Sequence, residues 1–194
     1  MRVLRQNVVI LGGPNGAGKT TAARALLPER VHLHSFLNAD EIARRLSPED
    51  VDKAAIRAGR IMIEQMREFV RLQTSFAFET TCAGKSYLKL MQECSNNGWR
   101  VSLIYLWVPS PEYSISRVAR RVSQGGHGIP DETIHRRYHA GLWNMRHLYL
   151  PLAHDATIYD NRDNALRLIA HRTNRSPLQI FDEEIWTRIE EETQ

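Results

Sequence analysis

The chain has 194 residues, 42% of them hydrophobic, which is enough for one core and too few for two independent domains. No apolar run reaches the length of a signal peptide or a membrane span, so the sequence predicts a cytoplasmic protein and excludes a membrane-spanning one. The net charge of +4 comes from arginines spread along the chain, and Cys82 and Cys94 lack metal-ligand spacing. Nucleic-acid binding and a cysteine metal site are therefore both disfavoured.

The first predicted element is an apolar strand over residues 7–11, followed at once by a glycine-rich run and a helix. This order matches the Walker A loop, whose backbone N–H groups wrap a polyphosphate and whose glycines allow positive φ angles. Lys19 adds a positive charge for the β- and γ-phosphates, and the Thr20 hydroxyl is the predicted Mg²⁺ ligand. The predicted nucleotide-binding residues are Gly13, Pro14, Asn15, Gly16, Ala17, Gly18, Lys19, Thr20 and Thr21.

Strands and helices alternate along the rest of the chain, which predicts an α/β fold: a parallel sheet of about five strands with helices on both faces. The further strands are predicted at 34–38, 75–78, 100–108 and 156–159, with 165–171 as an additional candidate. Further helices are predicted at 42–46, 50–72, 84–97, 111–123, 131–150 and 178–192. We interpret residues 1–194 as a single P-loop domain in which residues 111–150 form a helical, arginine-rich lid.

Acidic and polar residues end the second and third predicted strands, at Asn38 and Asp40 and at Glu79 and Thr80. Ligands of parallel α/β sheets bind at the carboxyl ends of the strands, so these side chains are expected beside the phosphate loop. A carboxylate there can orient and deprotonate an acceptor hydroxyl in phosphoryl transfer. The alternative for Asp40 is a plain helix cap, and for Glu79 an acid neutralised by a basic partner.

The predicted lid combines arginines with a glycine-rich segment at 124–130. Two of the arginines lie one turn apart on a helix, where both can face the same phosphates, and a glycine-hinged segment can close over a γ-phosphate and exclude water. The alternative is a solvated basic face. The lid residues singled out are Arg117, Arg121, His127, Arg136 and Arg137.

Four blocks of this sequence, in order and spacing, resemble the zeta-toxin family of P-loop kinases, and most closely its short chromosomal members. The blocks are residues 13–21, 37–43, 78–81, and 117–122 with 125–130 and 136–138. The resemblance covers about residues 7–161. It implies an ATP-dependent kinase that phosphorylates the sugar 3′-hydroxyl of UDP-N-acetylglucosamine and has an antitoxin protein as a partner.

The resemblance also implies a role for each matched residue. Lys19 and Thr20 would bind ATP with Mg²⁺, Asp40 would be the base, and Arg117 and Arg121 would be catalytic lid arginines. Where plasmid-borne members carry a second lid arginine before a proline, this chain has His127, and Arg136 or Arg137 would supply the missing charge. The predicted acceptor-binding residues are Asn38, Asp40, Glu79, Thr80, His127, Arg136 and Arg137.

The sequence thus favours a kinase with ATP as the donor and a small-molecule hydroxyl as the acceptor. One alternative is a kinase of another metabolite, of an antibiotic or of a nucleic-acid end; another is a non-catalytic, ATP-binding regulatory protein. Asp40 separates these interpretations, because a nucleotide switch has no use for an acid directed at an acceptor hydroxyl. A polynucleotide kinase would also need a basic, aromatic-lined groove, which the sequence does not clearly provide.

Overall fold

The computed structural model describes residues 6–27, 35–47, 49–163 and 165–194. Its strands are β1 (Asn7–Gly12), β2 (Phe36–Asn38), β3 (Phe76–Thr80), β4 (Arg100–Trp107), β5 (Asp155–Asp160), β6 (Arg167–Arg172) and β7 (Gln179–Ile180). They form one seven-stranded sheet in the order β2-β3-β1-β4-β5-β6-β7. The first five are parallel, and β6 and β7 extend the β5 side with antiparallel pairs. The predicted α/β fold with a mainly parallel sheet is confirmed.

Helices surround this sheet. They are α1 (Lys19–Leu26), α2 (Ala39–Leu46), α3 (Val51–Arg71), α4 (Leu88–Asn96), α5 (Pro111–Ser123), α6 (Asp131–Asn144), α7 (Leu150–Leu152) and α8 (Glu183–Glu191). A π-helical turn, Met145–Tyr149, joins α6 to α7. Among the described residues, no helix is long and apolar enough to cross a membrane.

Several predicted boundaries need correction. The sheet has seven strands where about five were predicted, because β6 and β7 add antiparallel pairs at its edge. The helix predicted at 178–192 begins at Glu183, since Asp182 caps it by accepting a hydrogen bond from Ile185 N, and residues 179–180 pair with β6 instead. The helix predicted at 84–97 begins at Leu88. His34, predicted to start β2, lies outside the described residues.

The core lies around the central strands, which are apolar on both sides as expected for buried parallel strands. Residues Val8 to Leu11 of β1 are at most 1% exposed, and Trp99, just before β4, and Trp107, at its end, are at most 2% exposed. On α3, Ala58, Met62 and Met66 recur at four-residue spacing and are fully buried, so one face of this helix packs on the core.

The order of the strands fixes where a ligand can bind. The chain leaves β1 to form β2 and β3 on one side and then crosses to β4 on the other, so β1 lies at the point where the strand order reverses. In open parallel sheets the crevice outside the carboxyl ends at this point binds ligands. The phosphate loop follows β1 directly and therefore lies in that crevice.

Helix α6 and the π-helical turn hold the loop that follows β3. Asn144 Nδ2 donates to the carbonyls of Cys82 and Ala83 at 2.8 and 3.1 Å, and Tyr149 Oη donates to the Gly84 carbonyl at 2.8 Å. Gly141 lies so close to the loop that a Cβ there would be 2.3 Å from the Thr81 oxygen. The end of β3 is therefore fixed by contacts from the far end of the predicted lid.

Two helical glycines give opposite expectations for stability. We expect Gly141→Ala to lower the free energy of unfolding by about 1–3 kcal/mol, because its methyl would overlap the Thr81 carbonyl. Gly59→Ala on α3 has no atom within 4 Å of its new Cβ, so the better helix former should raise stability by about 0.5–1 kcal/mol. Urea denaturation measures both, and equal effects of the two substitutions would contradict the packing of α6 on this loop.

Candidate phosphate and acceptor site

The loop between β1 and α1 has the backbone of a phosphate cradle. Gly13, Gly16 and Gly18 have φ angles of +146°, +74° and +80°, which favour glycine. At Gly13 a Cβ would also lie 2.5 Å from the Leu106 carbonyl oxygen, so a side chain does not fit. The loop leads into the N-terminus of α1, where unpaired backbone N–H groups favour a bound phosphate.

Lys19 is held inside this loop. It is only 6% exposed, and its Nζ donates to the carbonyls of Gly13 and Pro14 at 2.8 and 2.9 Å. The same Nζ lies 3.7 Å from Glu79 Oε1. The ammonium group is therefore already at the centre of the loop, at the place where a polyphosphate would need charge neutralisation.

Glu79 connects the loop to two neighbouring strands. Its Oε2 accepts hydrogen bonds from Thr20 Oγ1 at 2.8 Å and from Asn38 Nδ2 at 3.1 Å. Magnesium prefers oxygen ligands and is usually bound by one or two protein groups together with substrate phosphates. The Thr20 hydroxyl and the Glu79 carboxylate fit that requirement, and no cluster of three or more metal-ligating side chains occurs among the described residues.

Asn38, and not Asp40, caps helix α2. The Asn38 Oδ1 accepts from the backbone N–H groups of Asp40 at 2.8 Å and of Glu41 at 3.4 Å. The Asp40 carboxylate is thus not needed for capping, and its exposed side chain lines a cavity. Burial raises the pKa of Tyr87 in the wall of that cavity, and the negative charge of Asp40 raises it further.

That cavity, called the acceptor cavity below, has a volume of about 560 Å³. It contains all the predicted acceptor-binding residues, namely Asn38, Asp40, Glu79, Thr80, His127, Arg136 and Arg137. Asn15 and Lys19 of the phosphate loop line it as well. One wall contains the acids Asp40 and Glu79 near the strand ends, together with Lys19. The opposite wall contains the basic side chains of Arg136 and Arg137 on α6 and of His127 before it.

A larger cavity of about 900 Å³ adjoins the site on the β2 side. Thr20, Thr21 and Glu41 line it, together with side chains of α3. Lys19, Asp40, Glu79 and the lid residues do not line this cavity. Lys19, Asp40 and Glu79 all line the smaller cavity, so a cation and acids face the same space there, which is the arrangement that phosphoryl transfer requires.

The two candidate lid arginines occupy different environments. Arg117 lies against the phosphate loop: its Nη1 donates to the Asn161 carbonyl at 2.8 Å, and its Nη2 would be 3.4 Å from a Cβ on Gly18. Arg121 is exposed, and its Nη2 donates to the His127 carbonyl at 2.7 Å. The structure thus brings Arg117, and not Arg121, to the phosphate loop, and neither arginine lines either cavity.

Much of the predicted lid belongs to the core. Ile134, Tyr138 and Leu142 of α6 are at most 2% exposed, and Tyr138 Oη donates to the Val108 carbonyl at 2.9 Å. The longest continuously exposed stretch of the predicted lid is 119–125. This stretch does not belong to the buried core.

Asn161 belongs to the candidate site but was not predicted from the sequence. It directly follows β5, is 5% exposed, and its Nδ2 donates to the Ala17 carbonyl of the phosphate loop at 2.7 Å. Its own carbonyl accepts the hydrogen bond from Arg117. Asn161 could have been predicted from the sequence, since it is a polar residue at the carboxyl end of a parallel strand, the same feature that predicted Asn38 and Glu79.

Comparisons with known proteins identify the family of this chain and a relative. The family model described as "AAA domain" matches residues 8–140. A Haemophilus influenzae protein, described as an "uncharacterized protein", is 29% identical over 136 residues, which cover 70% of this chain and 95% of that protein.

Solved structures share the fold. The complex of AvrRxo1-ORF1 and AvrRxo1-ORF2 matches with a TM-score of 0.73 when solved with sulphate ions and 0.67 when solved with ATP, at 15% identity. The match covers 95% of this chain but only 63% of that chain. A structure of the PezAT chromosomal toxin–antitoxin system of Streptococcus pneumoniae matches with a TM-score of 0.67 at 16% identity, covering 98% and 85% of the two chains. Identities this low establish a common fold, and the resemblance to toxin kinases is confirmed at that level.

We expect Asn161→Ala to weaken ATP binding by about 3- to 10-fold, the effect of losing one hydrogen bond that holds the phosphate loop. Titration calorimetry with ATP and Mg²⁺ measures the change. Asn96→Ala, on the exposed end of α4, is the control and should leave the affinity unchanged. Equal affinities of wild type and Asn161→Ala would show that the loop holds its shape without Asn161.

Proposed function

Because this chain belongs to the AAA domain family and has a kinase-like P-loop fold, we propose that it is an ATP-dependent phosphotransferase acting on a hydroxyl of a small molecule. The main support for this proposal is that Lys19 of the phosphate loop lines the acceptor cavity together with Asp40 and Glu79. A cation for the transferred phosphate and an acid for the attacking hydroxyl face the same space, as phosphoryl transfer requires.

The donor half of the site is the phosphate loop. Its backbone N–H groups would bind the ATP phosphates, and Lys19 would leave its carbonyl partners to neutralise the β- and γ-phosphates. Thr20 and Glu79 would hold Mg²⁺, which when bound supplies positive charge to the transferring group. Arg117 lies beside the loop and would add charge directly, whereas Arg121 would first have to leave its bond to the His127 carbonyl.

The acceptor half of the site supplies the base. Asp40 takes the proton of the attacking hydroxyl while that oxygen bonds to the γ-phosphorus and the bond from phosphorus to the bridging oxygen of ADP breaks. Because Asn38 caps α2, the Asp40 carboxylate can do this without disturbing the helix. An acid in this cavity argues against the alternative of a purely regulatory ATP-binding protein.

For the acceptor we propose a nucleotide sugar, with UDP-N-acetylglucosamine as the first candidate. The support is the resemblance to zeta toxins together with the basic wall of the cavity, where Arg136, Arg137 and His127 suit a diphosphate. Another small metabolite, an antibiotic or a nucleic-acid end remains the second candidate. We further propose that the protein works in the cytoplasm, where ATP is available, and that an antitoxin is its partner, because its fold is that of proteins from toxin–antitoxin systems.

Lys19→Ala should reduce phosphate transfer by about 10³-fold or more, because the variant lacks the cation at the centre of the phosphate loop. The measurement is release of ADP in the presence of acceptor, with ATP binding followed separately. Lys89→Ala, on the exposed face of α4, is the matched control. Wild-type turnover in Lys19→Ala would exclude a catalytic phosphate loop.

Asp40→Asn should lower kcat by about 10²- to 10⁴-fold, because it removes the base and keeps the size of the side chain. The melting temperature and ATP affinity should stay unchanged, since Asn38 caps the helix. Glu41→Gln is the control: it changes the neighbouring acid of α2, which lines the larger cavity only. If Asp40→Asn keeps full activity, the base must be sought at Glu79.

A further inference from the structure

Two glycines of this chain have an ordinary backbone conformation and open space where a side chain would be. Glycine is needed where φ is positive, which is the case at Gly13, Gly16, Gly18, Gly98 and Gly125. It is also needed where a Cβ would lie within 3.0 Å of another atom, which is the case at Gly12, Gly126 and Gly141. At Gly128 a Cβ would be in ordinary contact with Val122, at 3.6 Å. The two that remain are Gly59 and Gly84, where no atom of the described residues lies within 4 Å of a Cβ.

Both of these glycines line the acceptor cavity. Gly59 lies on α3, and Ala55, about one turn before it, lines the same cavity, so the face of α3 that carries both residues borders this space. Gly84 lies in the loop after β3, and the hydroxyl of Tyr149 holds its carbonyl at 2.8 Å. A side chain at either position would therefore take up room in the cavity.

The fold gains nothing from these two glycines. Gly59 lies in the middle of a 21-residue helix, where glycine lowers stability relative to alanine, and no close packing compensates for this cost. Gly84 makes no turn that requires a positive φ. What a missing side chain provides at both positions is room for a ligand to approach the backbone closely.

The two positions belong to different elements of one site. Asp40 of α2 and Glu79 of β3 line the same cavity as Gly59 and Gly84, and the proposed reaction takes place beside these acids. The ATP phosphates bind at the phosphate loop, so the space next to α3 and the loop after β3 is left for the acceptor.

We infer that Gly59 and Gly84 determine acceptor specificity by size. The part of the acceptor beyond its reacting hydroxyl fills the space over both glycines and lies directly against the backbone of α3 and of the loop after β3. This inference rests on the proposed kinase activity and adds two specificity-determining positions to it.

The test narrows the cavity from either element. In phosphate transfer from ATP to the nucleotide sugar that the wild type uses best, Gly59→Leu and Gly84→Leu should each lower kcat/KM about 10- to 100-fold, the effect of overfilling a site. Gly59→Ala should cause a smaller loss, because the effect depends on the size of the side chain.

Two readouts separate this role from a structural one. The melting temperature should rise in Gly59→Ala and should not fall in Gly59→Leu, because both residues are better helix formers than glycine and meet no atom of the fold. The rise in melting temperature that ATP causes should match the wild type in all variants, because the donor site is unchanged.

Matched controls place the same leucine one position further along the chain. Arg60→Leu on α3 and Lys85→Leu after β3 change exposed side chains that line neither cavity. Both should keep the wild-type kcat/KM, so a loss confined to the glycine variants reports on the space inside the cavity.

The outcomes distinguish the two proposals. If the wild type phosphorylates an acceptor and the glycine variants do so equally well, the role of Gly59 and Gly84 is wrong and the kinase proposal stands. Lower melting temperatures together with weaker ATP responses in the glycine variants would likewise overturn it, in favour of a structural role. If the wild type transfers phosphate to no acceptor, the proposed function is wrong and the inference falls with it.

Discussion

One carboxylate, that of Glu79, joins the carboxyl ends of three parallel strands. Parallel pairing places Glu79 opposite Leu11 of β1 on one side and Asn38 of β2 on the other. Its side chain is 12% exposed, so its charge needs partners, and it finds them in Thr20, Asn38 and Lys19. The phosphate loop, the cap of α2 and the end of β3 thus share one set of hydrogen bonds, and the donor and acceptor halves of the site form a single unit.

The rest of the cavity is built around this unit from elements that are themselves firmly packed. Asn161 holds the phosphate loop from the β5 side, and α6 holds the loop after β3 through Gly141 and Asn144. The same helix presents Arg136 and Arg137 to the cavity. Positioning is the main contribution that a protein makes to phosphoryl transfer, and in the proposed reaction the packed strand ends and the buried helix would supply it.

The parts of the candidate site that depend on the succession of elements along the chain could be predicted from the sequence. The phosphate loop follows from a strand, glycines and a helix in succession, and Asn38 and Glu79 follow from the rule that polar residues at the ends of parallel strands face a ligand. Asn161 obeys the same rule and could have been predicted to lie at the site, but its hydrogen bond to the Ala17 carbonyl joins residues 144 positions apart and does not follow from local order.

Other features depend on contacts that sequence periodicity does not contain. The additional strand predicted at 165–171 is present as β6, but its antiparallel direction and the short strand β7 are specified by pairing at the sheet edge. A π-helical turn has nearly the same apolar spacing as the helix predicted at 131–150. The spacing of Arg117 and Arg121 predicted a shared direction, yet the glycine-rich segment after α5 folds back so that the His127 carbonyl binds Arg121. That hydrogen bond competes with any contact between Arg121 and a phosphate.

In the proposed function, the γ-phosphate of ATP passes to a hydroxyl in the acceptor cavity and not to water. The most direct measurement incubates the purified protein with γ-labelled ATP, Mg²⁺ and a panel of nucleotide sugars, and then separates the products. We expect the label to appear in a phosphorylated sugar, in an amount equal to the ADP formed. Label found only in inorganic phosphate, or remaining in ATP with every sugar, would contradict it.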